Sequence, residues 1–237
     1  MSDQTINPRR SPRALLAKSG HPGAGPGTLT LVMARAGVGK TAFLTSVGLD
    51  ALLAGQTVLH VSLEANVEKV RDWYDDLLAE LAVREPELSR SAELRLKLER
   101  RRHILGFLGG SFGAAKLEHA IGMLGERMDF HPDLILIDRV DLTHATRDEI
   151  SALKDIATTA ACELWASARL YRRAPAARDG HLPGPAEPIE DLVDLAFKLE
   201  PEGDKIRLHA LKDNDVTADE NLNVLLDPTS LLLVPEE

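Results

Sequence analysis

The residues best suited to chemistry lie in one run of eight, Ala34-Arg35-Ala36-Gly37-Val38-Gly39-Lys40-Thr41. Gly37 and Gly39 carry no side chain, so the backbone there can approach a ligand closely. N–H groups of such a loop, continued by the start of a helix through Ala42, form a cradle for anionic oxygens. Lys40 is positioned to reach the outer phosphates of a bound polyphosphate, and the Thr41 hydroxyl to ligate Mg²⁺. A second signal is Leu134-Ile135-Leu136-Ile137-Asp138, four apolar residues ending in a carboxylate. A buried strand of that kind delivers Asp138 at its C-terminal edge, where it supports the same metal. The third is Glu64, closing the run Val61-Ser62-Leu63-Glu64. A carboxylate there can orient and deprotonate an attacking water.

These groups can meet only if the elements before them end on one side of a sheet. The pattern predicts alternating strands and helices from Thr28 onward. Thr28–Met33, Thr57–Leu63, His103–Leu108, Asp133–Ile137 and Glu163–Leu170 read as strands. Thr41–Ala54, Asn66–Val83, Leu88–Arg102, Ala114–Arg127 and Arg147–Cys162 read as helices. Repeated strand–helix units imply a mainly parallel sheet covered on both faces. The last part differs: Val193–Leu199, Lys205–Leu211, Leu222–Leu226 and Leu231–Val234 read as strands joined by short turns, an antiparallel extension at one edge. Residues 1–27 hold four prolines and four glycines and read as a leader, with room only for a short helix around Arg13–Lys18. Residues 28–237 then form one domain.

The chain has 237 residues, of which 44% are hydrophobic and 27% charged, enough to bury a core without disulfides. The single cysteine, Cys162, excludes an internal disulfide framework and fits a reducing, cytoplasmic setting. No apolar run is long enough to span a membrane, so no membrane partner is expected. The net charge of −9 is concentrated at the end: beyond Lys212 there are seven acids and no Lys or Arg. That balance argues against a general nucleic-acid-coating protein and leaves room for a local basic patch. The eight histidines show no ligand spacing with Cys162, so no zinc site is expected. Trp73, on the apolar stripe of its helix, and Trp165, inside a strand, are expected in the core.

Pro26-Gly27-Thr28-Leu29-Thr30 running into A-R-A-G-V-G-K-T-A-F, then V-S-L-E, then P-D-L-I-L-I-D, resembles the RecA-type P-loop ATPase core. The nearest flavour is the DnaB-like helicase C-terminal domain, with KaiC-like ATPases close by. The resemblance spans about Gly25 to Leu226 and implies ATP and Mg²⁺ as ligands. It also implies Glu64 as catalytic base and a homo-oligomeric ring or filament with sites between subunits.

The chain departs from that pattern in three places. The first position of the phosphate loop is Ala34 rather than Gly. The sensor strand, usually ending in Gln, has Arg169, which either contacts phosphate, faces a neighbouring subunit or lies on the surface. The Lys-x-Arg pair that would reach a neighbour's ATP reads Lys212-Asp213-Asn214, so the lysine matches and the arginine finger does not. Slow hydrolysis follows, or a finger from elsewhere, such as Arg169, Arg172 or Arg173. The loop Tyr171–Pro188, at the position of the family's DNA-binding loop, carries Arg172, Arg173 and Arg178, which either meet single-stranded DNA or stay solvated. The alternative function is a KaiC-like ATP-dependent switch or filament scaffold that binds no nucleic acid.

Overall fold

The computed structural model describes Arg13, Leu16 and residues 25–84, 92–171, 181–214, 216–227 and 233–235. Within them the chain is α/β, built on one nine-stranded sheet. In chain order the elements are β1 (Leu29–Ala34), α1 (Lys40–Leu53), β2 (Val58–Ser62), α2 (Val67–Arg84), α3 (Ala92–Arg101) and β3 (Arg102–Gly106). Then come α4 (Ala114–Met128), β4 (Leu134–Val140), α5 (Arg147–Thr159), β5 (Glu163–Arg169) and a 3₁₀ turn at Glu187–Leu192. Four strands close the chain: β6 (Leu195–Glu202), β7 (Lys205–Asp213), β8 (Val216–Leu226) and β9 (Leu233–Pro235).

The strand order is β3-β2-β4-β5-β1-β6-β7-β8-β9. Pairing is parallel from β3 through β6 and antiparallel from β6 through β9. The mainly parallel sheet with an antiparallel C-terminal edge is therefore as the sequence pattern requires. β1 and β2 are buried at every position, the polar Thr30, His60 and Ser62 included, as expected of strands covered on both faces.

Two apolar layers cover the sheet. On one face Val32, Leu136, Trp165 and Phe197 meet Phe43 and Val47 of α1 and Tyr74 and Leu77 of α2. On the other, Leu31, Ile135, Ile137 and Leu164 meet Leu117 of α4 and Ile150, Leu153 and Ile156 of α5. Trp165 lies at the centre of the first layer, stacked on Phe197 with ring centroids 5.9 Å apart. Trp73 is only half-buried at its margin, with the Lys69 ammonium 6.0 Å from its ring.

Several local expectations shift. The helix expected to run to Arg102 ends at Arg101, and Arg102 opens β3 beside Val58. β8 extends far back from the expected Leu222, because β7 offers it partners as far as Asp213, which pairs with Val216. Most of the expected leader lies outside the described residues. Of those described before residue 25, Leu16 is 1% exposed within the first apolar layer, and Arg13 pairs with Glu163 at the start of β5. No helix among the described residues is long and apolar enough to cross a membrane.

Candidate functional site

The loop between β1 and α1 leaves the sheet at the C-terminal ends of its parallel strands. Gly37 and Gly39 both adopt the left-handed region, with φ of 78° and 97°, which disfavours any side chain. Gly39 is constrained twice, since a Cβ would lie 3.1 Å from Leu226 and 3.4 Å from Ile206. The antiparallel strands thus press on the loop from behind. Gly39 caps α1, and no side chain caps its N-terminus, so the first-turn N–H groups stay available to an anion.

Lys40 opens α1 and is nearly buried, at 9% exposure. Its ammonium donates to the Ala34 and Arg35 carbonyls at 3.0 Å each, which folds the side chain back along the loop. Burial lowers its pKa; Asp138 and Glu64 oppose that shift, while Arg139 and Arg169 add to it. Thr41 donates from Oγ1 to Asp138 Oδ2 at 2.7 Å. Asp138 is 1% exposed at the end of β4, and its Oδ1 accepts from Ser167 Oγ at 2.6 Å. A threonine hydroxyl against a carboxylate is a donor set suited to Mg²⁺, which keeps most of its shell for phosphate and water.

Glu64 lies just beyond β2, whose last residue Ser62 pairs with Asp138. Its exposed carboxylate reaches back to an ion pair with Arg139. Arg169, at the end of β5, holds its guanidinium 5.0 Å over the Tyr171 ring. Gly37, Gly39, Lys40, Thr41, Glu64, Arg139, Arg169 and Tyr171 are among the residues that line a cleft of about 470 Å³. Three cations (Lys40, Arg139 and Arg169) thus converge with Glu64 and Asp141 on one cleft, and Asp138 joins them through Thr41, an arrangement that can take a phosphate-bearing ligand and a divalent cation.

The structure brings together Lys40, Thr41, Glu64, Asp138 and Arg169, with Ala36, Gly37 and Gly39. Ala34 and Arg35 contribute through their carbonyls, Val38 is buried beneath the loop, and Ala42 follows in the first turn of α1. Lys212 is not brought to this cleft. Its ammonium donates to the Glu190 carbonyl and, at 2.6 Å, to the Val193 carbonyl. Asn214 turns its amide to Asp213 at 2.8 Å. Arg172, Arg173 and Arg178 lie outside the described residues.

Two residues of the site escape a reading of the sequence. Ser167, inside Trp165-Ala166-Ser167-Ala168, reads as a small strand residue, yet it orients Asp138. Arg139 directly follows Asp138, so strand alternation assigns it to the opposite face. No family model matches this chain, and no curated protein matches it.

Proposed function

We propose that this chain is a RecA-like P-loop ATPase that binds Mg·ATP in the cleft beyond β1 and hydrolyses it slowly. One observation carries the reading: the glycine loop of β1–α1 places Lys40 and Thr41 on one cleft with Glu64, and Thr41 hydrogen-bonds the buried Asp138. The strand order, with β5 between β1 and β4, is compatible with such a fold. In this reading the loop N–H groups and Lys40 hold the β- and γ-phosphates. Thr41 and Asp138 would hold Mg²⁺, which supplies neutralisation of the phosphate charge. Ser167 keeps Asp138 in the rotamer that faces Thr41. Glu64 orients the water and accepts its proton.

The resemblance to DnaB-like domains adds a homo-oligomer and single-stranded DNA, met by Arg172, Arg173 and Arg178, as further parts of this proposal. The position of Lys212 supports a second reading. With the Lys212 ammonium bound to two carbonyls and an exposed Asn214 beyond it, the end of β7 presents no free cation among the described residues. That favours an ATP-dependent switch or scaffold with slow turnover and no nucleic acid.

Steady-state ATP hydrolysis with and without single-stranded DNA, at two salt concentrations, tests both. Lys40→Ala is expected to lower turnover by about 100-fold or more. Stimulation by DNA that weakens with salt supports the DNA-acting form. Turnover that ignores DNA but needs Lys40 supports the switch. Turnover no greater than in Lys40→Ala overturns the ATPase reading.

A further inference from the structure

Along β4, Ile135 and Ile137 face the layer of α4 and α5, while Leu134, Leu136 and Asp138 face that of α1. Alternation would turn Arg139 toward α4 and α5 and Val140 toward α1. The structure does the reverse. Val140 packs in the same layer as Ile137. The pairing with β5 runs from Ile137↔Ala166 to Val140↔Ala168, so β4 carries one extra residue opposite Ser167. Asp138 and Arg139 share that position, and one hydroxyl serves both. Ser167 Oγ donates to Asp138 and accepts from the Arg139 N–H at 2.8 Å. Arg139 has φ of 72°, in the left-handed region that side chains disfavour. A bulge of this kind re-aims a side chain beside a site. Here it sets Arg139 Nε 3.9 Å from Asp138 Oδ2, on the wall of the cleft.

The ion pair with Glu64 does not account for this backbone. Both side chains are largely solvated, at 47% and 63% exposure, and pairs of that kind add little stability. The position of the guanidinium gives a better account. Lys40 is already assigned to the phosphates from the loop side, Arg169 stacks on Tyr171, and Lys212 lies elsewhere. Among the described residues, Arg139 is a cation of the cleft that pairs with Glu64 and also lies within 3.9 Å of the buried Asp138.

We infer that Arg139 is a catalytic residue that supplies, from within the same chain, the guanidinium missing from the end of β7. The inference rests on the ATPase reading above. Arg139 leaves Glu64 for the γ-phosphate when ATP binds, and that exchange of partners also releases Glu64 to the water. The water oxygen bonds to the γ-phosphorus as the bond from that phosphorus to the β–γ bridging oxygen breaks. The bridging oxygen departs on ADP with the electron pair. The water's proton passes to Glu64 and then to inorganic phosphate. A planar guanidinium suits this exchange because carboxylate and phosphate accept the same two-pronged donor.

The test uses the full chain with Arg139→Gly and Arg139→Lys. Glycine removes the guanidinium and relieves the left-handed backbone, so that variant is expected to melt no lower than the parent chain. Its single-turnover hydrolysis should fall about 100-fold or more while the Kd for a fluorescent ATP analogue changes less than about 3-fold. It should also lose the tighter binding of ADP with aluminium fluoride over ADP alone. Arg139→Lys should recover only part of the rate, because an ammonium lacks the fork. A rate within about 2-fold of the parent, or an equal loss of ADP and ADP–aluminium fluoride binding, would overturn the inference and leave the ATPase reading intact. A parent chain that binds no nucleotide would overturn both.

Discussion

Asp138 is held by two hydroxyls, Thr41 on one oxygen and Ser167 on the other, and neither contact involves water-exposed atoms of the carboxylate. Removing one partner of a buried charged acceptor costs more than the net worth of the bond, because the acceptor stays desolvated. Ser167→Ala is therefore expected to lower unfolding free energy by about 1–3 kcal/mol, read by urea denaturation. The same variant should raise the Mg²⁺ concentration needed for half-maximal ATP hydrolysis, since Asp138 loses the contact that fixes its rotamer. A stability within error of the parent chain would count against this role. Asp138 was legible because an apolar run ends at it. Arg139 was not, because the period-two rule that locates Asp138 sends its neighbour to the other face. Only a register against β5 reveals the extra residue. Ser167 was missed for a different reason: its importance comes from a partner on another strand, and no spacing within β5 records that.

At the scale of elements, α1 is the helix on which the cleft depends, and it is buried on nearly every side. Its sequence is correspondingly apolar all round, so its existence was legible and its facing was not. Gly48 shows what the surroundings demand. A Cβ there would lie 2.3 Å from the Tyr74 hydroxyl and 2.8 Å from Leu136. That hydroxyl crosses α1 to reach His60 Nδ1 at 3.0 Å, and Arg102 lies over the Tyr74 ring at 4.5 Å. Alanine would favour an isolated helix by about 1 kcal/mol. In this packing, displacing Tyr74 should outweigh that gain, and Gly48→Ala is expected to destabilise the chain by about 1–3 kcal/mol. A melting temperature equal to or above that of the parent would show that α2 yields more readily than the contacts imply. α5 was more legible, because Thr146 and Glu149 form a complete capping box at its start. The long β8 was not, since its first half depends on pairing with β7 rather than on apolar pattern.

For the molecule as a whole, the acid side of stability should be governed in part by His60. It is wholly buried, and that burial lowers its pKa to about 4, with Asp138 opposing and Arg102 reinforcing the shift. Its Nε2 has no hydrogen-bond partner among the described residues. Between about 6.5 and 4 the unfolded chain binds a proton at this histidine that the folded chain refuses, so stability falls as pH falls through that window. The melting temperature should drop between pH 7.5 and pH 5, and His60→Gln, which cannot titrate, should flatten the decline. An unchanged slope in that variant would assign the acid sensitivity elsewhere. The sheet order carries one more consequence, for how the protein is made. β1 is made before β5 and β6, yet those are its two neighbours, with Leu29 against Leu164 and Thr30 against Leu195. The residues that press on Gly39, Ile206 and Leu226, come later still. A growing chain makes the glycine loop well before the strands that wall and back it. On the proposed ATPase reading, nucleotide would act on a nascent chain only after β8 has emerged, and an arrest before Leu226 would leave the loop without its backing.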